Sequence, residues 1–306
     1  MRATQAQLLA DPAAERPGLP REPRELAPTP LPLLEFAQAA DWEDVRGAMG
    51  LVYQNYREKG LLGEDPVGLR FTHFNLLPET AVFVAKAGDE VVATFSLVVD
   101  TGDFGLPMDA LYRDELGHLR RRGRVPAEIS GLAIHPAYAP ISIHLIMNLV
   151  KMLYTYATKL GVTDLVVACH PKHARLYRRL FLFEQIGEFR KYEAVNDAPA
   201  VAVRLDLVTV RERYRQSQPV RGFDLYRFFF SDEIFRCPPT ALRVSALSPA
   251  VNRRLLQLRP QIREVLEARR PGFVAELLGD PAESAAEPIW PAVRAAAGAA
   301  PVFVPA

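Results

Sequence analysis

Glu128 opens the run Glu128-Ile129-Ser130-Gly131-Leu132-Ala133-Ile134, which stops at His135-Pro136. A carboxylate that begins an apolar strand is partly buried, and burial lifts its pKa toward the range where it takes a proton from an amine. Further on, Tyr177 lies within His170-Pro171-Lys172-His173-Ala174-Arg175-Leu176-Tyr177. Its hydroxyl has the chemistry to donate a proton, and its ring has the apolar neighbours Leu176 and Leu180 of a core tyrosine. His170 and His173 are three positions apart, which raises a metal site. No third ligand at a recognised spacing accompanies them and H-E-x-x-H is absent, so no metal is expected. A serine hydrolase is unsupported because no G-x-S-x-G occurs. Arg120, Arg121, Arg122 and Arg124 form a basic cluster at a predicted helix end, favourable against the helix dipole and attractive to an acidic partner.

The elements that must position these residues form one unit. Ile141, Leu145, Leu149, Met152, Leu153, Tyr156 and Leu160 recur at helical spacing and end at Gly161, a residue suited to a left-handed cap. A second apolar run, Leu165-Val166-Val167-Ala168-Cys169, leads into the His170 segment. Strand, helix, strand, helix predicts two parallel strands, with a ligand where their ends part.

Before this unit, Trp42, Val45, Met49, Val52, Tyr53 and Tyr56 predict a helix behind an Asp41 N-cap, with Tyr53 and Tyr56 placed to line a groove. Ala81–Lys86 and Val91–Asp100 predict a hairpin about Gly88-Asp89, and Met108–Arg122 a helix. After it, Gly187–Ala194 and Ala200–Leu207 predict two strands about Asn196-Asp197. The expected fold class is α/β (α+β): a mixed, mostly antiparallel sheet with a central parallel pair and helices on both faces.

Three regions follow. Residues 1–33 are proline-spaced and expected to be a disordered leader; 34–210 hold the sheet domain; 211–306 form a mainly helical extension with a loosely ordered tail. In the extension an aromatic cluster, Phe223, Tyr226, Phe228, Phe229 and Phe230, precedes Ser248-Pro249. That pair is expected to open one helix carrying Val251, Leu255, Leu258, Ile262, Val265 and Leu266.

A formal net charge of +1 gives no reason to expect nucleic acid as a partner. Two cysteines, Cys169 and Cys237, are too few for a disulfide framework, and no run approaches the ~20 apolar residues of a membrane span. A cytoplasmic protein is expected.

The stretch Glu128–Phe183 resembles the GNAT acyltransferase core: Leu132-Ala133-Ile134-His135-Pro136 matches its first strand end, and Tyr177 its helix tyrosine. The glycine loop that cradles the coenzyme A pyrophosphate is missing, since Ala137–Ser142 contain no glycine. A wider series covers about Val52 to Leu207. It runs through Leu77-Pro78-Glu79-Thr80, Leu106-Pro107-Met108-Asp109, Gly123-Arg124, Glu128-Ile129, His170-Pro171-Lys172-His173 and Tyr177-Arg178-Arg179. In ordered combination these resemble the long-chain N-acyl amino acid synthases, GNAT-like relatives of the acyl-homoserine lactone synthases. The lactone synthases typically carry Arg three residues after the strand glutamate, where this chain has Gly131.

The resemblance implies an N-acyltransferase that moves a fatty acyl chain from acyl carrier protein, or acyl-CoA, to an amino acid or similar small amine. No cofactor would be tightly bound; the acyl-phosphopantetheine is a co-substrate. Glu128 and Tyr177 would be catalytic, as base and as proton donor to the thiolate. Backbone N–H groups at Leu132, Ala133 and Ile134 would hold the oxyanion if the strand bulges there. His170 and His173 would border the pantetheine channel, and Arg120, Arg121, Arg122 and Arg124 would dock the carrier protein. Losing the glycine loop favours the carrier, which presents one phosphodiester where coenzyme A presents a pyrophosphate. The alternatives are a catalytically silent module of the same fold, binding acyl chains or carrier protein, and a lactone-synthase-like signal synthase.

Overall fold

The computed structural model of the chain describes residues 34–217, 224–230 and 247–279. The expected leader 1–33, Phe223, Cys237 and the Ala- and Pro-rich tail from Pro281 lie outside the described residues.

Among the described residues seven strands make one sheet: β1 (Leu34–Gln38), β2 (Ala81–Ala87), β3 (Glu90–Val99), β4 (Pro126–Ile134), β5 (Asp164–Cys169), β6 (Glu184–Tyr192) and β7 (Ala198–Asp206). Their order is β1-β2-β3-β4-β5-β7-β6, antiparallel throughout except for the central pair β4 and β5. Both predicted hairpins are present. Gly88 turns the first at φ +62, and Asn196 and Asp197 turn the second at φ 55 and 57. The edge strand β1 is an addition, since its five residues show no alternation of burial that a sequence pattern could reveal.

Alternate residues of the strands face two helical layers. Phe95, Leu97 and Val99 of β3 point to α3 (Ser142–Lys159) and α4 (Pro171–Phe181). Val98 points the other way, to α2 (Asp109–Arg121), while Val82 and Val84 of β2 meet α1 (Trp42–Glu58). The predicted stripe of α3 is its core face: Leu145, Leu149, Met152, Leu153 and Tyr156 are fully buried, and Gly161 follows at φ +70. Burying side chains of this size stabilises by about 1.5–3 kcal/mol each.

After β7 come α5 (Val210–Gln216) and α6 (Leu225–Phe230), whose Phe228 and Phe229 join the α3 core. The single helix expected after Ser248 is two, α7 (Pro249–Leu258) and α8 (Gln261–Arg269), followed by α9 (Phe273–Leu278). Pro260 interrupts the pattern because it has no N–H to donate and its ring collides with the preceding turn. Val251, Leu255, Ile262 and Leu266 are buried against the α1 core as expected, but Leu258 and Val265 are exposed.

Candidate functional site

The parallel strands pair only at Pro126↔Asp164, Ala127↔Leu165 and Glu128↔Val166. Beyond Glu128 they part, leaving a cleft between the ends of β4 and β5. On its other side β4 bulges: Ser130 is opposite Ser96 and Ala133 opposite Thr94, so Gly131 and Leu132 together face Phe95. Gly131 sits at φ +65, where other residues are strained. A Cβ there would lie 3.6 Å from Val52, an ordinary contact, so the backbone conformation and not space demands glycine. The bulge on which the oxyanion role of Leu132, Ala133 and Ile134 depends is therefore present.

Glu128 stands in a cross-strand row with Val98 and Val166, on the α2 side of the sheet, and only 3% of it is exposed. Its Oε2 accepts the Met108 backbone N–H at 2.7 Å. Burial pushes its pKa up to about 8, with the Met108 bond pulling down and the Asp109 charge pushing up. The loop before α2 that carries Met108 is pinned by ions. Arg120 reaches Asp100 at 2.5 Å and both oxygens of Asp109 at 2.6 Å, and Asp109 Oδ2 accepts the Leu106 N–H at 2.7 Å.

The arginine cluster divides accordingly. Arg120 holds that loop, and Arg124 binds Asp164 and Asp206 at 2.6 Å, Asp164 being wholly buried. Both are engaged in ion pairs inside the protein. Arg121 and Arg122 are exposed, with Arg121 Nη2 3.2 Å from His118 Nδ1.

Tyr177 is buried on α4 against Phe183 and Phe181, with ring centroids 5.4 and 6.4 Å away. Its hydroxyl makes no hydrogen bond among the described residues. Burial raises its pKa, and the neighbouring Cys169 and Tyr56 raise it further. Cys169 ends β5, and burial pushes its thiol up to about 12, so it stays protonated and is no nucleophile.

Tyr56 connects the two expected catalytic groups. It projects from α1, burial raises its pKa, the Arg70 charge lowers it and the Glu128 charge raises it, and its own hydroxyl in turn raises that of Tyr177. Tyr192, at the end of β6, donates its hydroxyl to the Pro107 carbonyl at 3.0 Å, one residue from the Met108 N–H that holds Glu128. Tyr53, expected beside Tyr56, accepts the Asp65 N–H at 2.9 Å and anchors the loop after α1. That loop and the β6–β7 turn meet above the cleft, where Asn196 Nδ2 donates to the Gly60 carbonyl at 3.0 Å and Arg70 Nη2 to the Ala194 carbonyl at 3.4 Å.

His170 caps α4, its Nδ1 accepting the Lys172 N–H at 3.1 Å. His173 is exposed one turn on, its ring 6.1 Å from that of His170, and burial together with the His170, Lys59 and Lys172 charges lowers its pKa. Among the described residues no group of three or more His, Cys, Asp or Glu could hold a metal. In place of a glycine loop, Pro136–Ile141 form a 3-10 turn, and α3 begins at Ser142 with no side-chain cap. Arg70 and Tyr192 escaped the sequence reading because each lies in a segment without a motif and makes its contacts, to Ala194 and Pro107, only through tertiary folding.

The profile of the family described as N-acyl amino acid synthase FeeM matches residues 47–206, just over half of the 306-residue chain. Among solved structures, FeeM, an N-acyl amino acid synthase from uncultured soil microbes, is similar at 28% identity and a TM-score of 0.52, over 59% of this chain and 94% of its own. The acyl-homoserine lactone synthase LasI is similar at 15% identity and a TM-score of 0.43, over 57% and 89%. An acyl-CoA N-acyltransferase from Pseudomonas aeruginosa is similar at 14% identity and a TM-score of 0.38, over 56% and 98%. No curated protein matches the chain.

Proposed function

Because the chain belongs to the N-acyl amino acid synthase FeeM family, we propose that it transfers a fatty acyl group from acyl carrier protein to the amine of an amino acid. The observation that carries this reading is Glu128, a buried carboxylate with pKa about 8 at the point where β4 and β5 part.

In this reading the acceptor arrives as an ammonium, which has no lone pair to attack a thioester. Glu128 takes one proton from it. The freed nitrogen forms a bond to the thioester carbon while the carbonyl electrons move to oxygen, held by N–H groups of the Leu132–Ile134 bulge. Collapse breaks the C–S bond, the thiolate receives the Tyr177 proton, and the nitrogen loses its second proton to restore the site. Thioester and ammonium become amide, thiol and one released proton. With the pKa of Glu128 near 8 the basic form is a minority at neutral pH, and the ammonium of a bound acceptor lowers that pKa toward working range.

Two features support the carrier protein as donor. The 3-10 turn at Pro136–Ile141 lacks the glycines that bring bare backbone against a pyrophosphate. Lys172, Arg175 and Arg179 lie on one face of α4, exposed and without an ion pair among the described residues. They offer an acidic carrier a basic landing beside the cleft, where His170 and His173 border the pantetheine, with Arg121 and Arg122 a second basic site at the end of α2. The reading places the protein in the cytoplasm, with its carrier; among the described residues no helix is long and apolar enough to cross a membrane.

The test supplies dodecanoyl carrier protein or dodecanoyl-CoA with the proteinogenic amino acids and detects product by intact mass. N-acyl amino acid formed with a higher kcat/KM from carrier supports the reading. Equal or better use of coenzyme A removes the carrier, and protein that binds acyl carrier without turnover removes the transfer.

A further inference from the structure

We infer that Arg70 is the anchor for the acceptor's carboxylate, so that this site takes an α-amino acid by its acid group and presents its amine to Glu128. The inference rests on the acyltransfer reading and names the residue that selects its acceptor.

Arg70 leaves the loop between α1 and β2, where its backbone N–H donates to the Met49 carbonyl of α1 at 3.0 Å. Its guanidinium makes one long bond, 3.4 Å to the Ala194 carbonyl, and no ion pair among the described residues. That is unusual in this molecule. Arg120, Arg124, Arg190, Arg204, Arg259 and Arg270, all comparably sheltered, each bind a carboxylate. Asp65, an acid that feels the Arg70 charge, is already bonded to Arg259. A sheltered guanidinium with most of its donors unused is a site for a planar anion, because its fork matches a carboxylate.

Its place in the cleft gives that anion a meaning. From Arg70 to Ala194, from nearby Tyr192 to the Pro107 carbonyl, and from adjacent Met108 to Glu128, a continuous chain of bonds lines one wall. The charges of Arg70 and Glu128 both reach the hydroxyls of Tyr56 and Tyr192, the first favouring and the second opposing their ionisation. An α-amino acid carries a carboxylate and an ammonium on one carbon, the complement of a guanidinium and a carboxylate joined along one wall. Arg70 also lines a cavity of about 360 Å³ whose wall includes Tyr53, Phe71, Ile262 and the acids Glu64 and Asp65, the latter already paired with Arg259. A substrate lacking the acid would leave Arg70 unpaired.

The experiment compares wild type, Arg70→Ala and Arg70→Lys with the proteinogenic amino acids and with their amides as acceptors. Equilibrium binding of the N-dodecanoyl amino acids and N-dodecanoyl amino amides is measured in parallel. Wild type should prefer the acids. Arg70→Ala should lower kcat/KM for acids by about 30-fold or more, the range for truncating one partner of a buried charge pair, and leave amides within a few-fold. Arg70→Lys should retain part of the preference through its charge. Matching losses for acids and amides, or a wild type indifferent to the acid, would overturn the inference. A wild type that binds acyl acids over acyl amides through Arg70 yet forms no product would keep the anchor and discard the transfer reading.

Discussion

The Met108 backbone N–H and Glu128 Oε2 lie 2.7 Å apart, while Oε1 of the same carboxylate accepts no hydrogen bond among the described residues. One oxygen is thus fixed by the loop ahead of α2 and the other is left for a proton. Burial sets the affinity for that proton, and the first prediction follows from it. Glu128→Gln keeps the size and the Met108 bond but cannot accept a proton, so turnover should fall below about one per cent of wild type. In wild type, kcat/KM should rise with pH through a limb near 8. A variant with unchanged turnover at saturating acceptor, or a profile flat from pH 6 to 9 after correction for acceptor ionisation, would contradict the base role.

The same carboxyl links stability to pH. Its folded pKa of about 8 stands above the unfolded value of about 4.3, so between these the folded state binds more protons than the unfolded. The contribution of Glu128 is at its most favourable below pH 4 and is lost as pH climbs through 8. Glu128→Gln escapes that loss and should have a higher Tm than wild type at pH 9, with the difference narrowing toward pH 5. Thermal melts across this range check it; a variant less stable at pH 9 would mean the carboxylate is better solvated than its burial implies.

Tyr177→Phe should lower the single-turnover rate by about 10- to 100-fold. The loss is smaller than for Glu128 because a thiol, with a pKa of about 8.5, departs readily as thiolate. Since the hydroxyl binds no protein group among the described residues, Tm should stay within a degree or two. Lost stability with an unaltered rate would assign the hydroxyl to the fold.

Charge reversal separates docking arginines from structural ones. Arg121→Glu with Arg122→Glu, or Lys172→Glu with Arg175→Glu, should slow carrier association in a salt-dependent way and leave Tm unchanged. Arg124→Ala should cost about 1–3 kcal/mol of stability, because it strips one of two guanidinium partners from wholly buried Asp164, which keeps Arg204. Stopped-flow association and urea melts give the two readouts. A docking pair whose reversal does nothing, or an Arg124 variant as stable as wild type, would reverse the assignment.

Periodicity determined most of the fold. The stripe of α3, the two hairpin turns and the parallel pair flanking α3 are local patterns of burial and turn chemistry, and local patterns are written in consecutive residues. Glu128 was singled out near the start of such a strand and Tyr177 within the helix that follows the next strand, positions that local patterns locate. A short edge strand like β1 has no such pattern, and Pro260 breaks a stripe that apolar spacing alone carries across it. Which arginine is free and which is spent was decided only in three dimensions. Arg120, Arg121, Arg122 and Arg124 are near neighbours in sequence, yet two meet acids brought to them by distant strands and loops. The bonds of Arg70 to Ala194 and of Tyr192 to Pro107 have the same origin: the loop after α1 and the β6–β7 turn meet only once the sheet has assembled. Charge pairing and desolvation depend on distance through space, so the proton affinity of Glu128 belonged to the tertiary structure from the start.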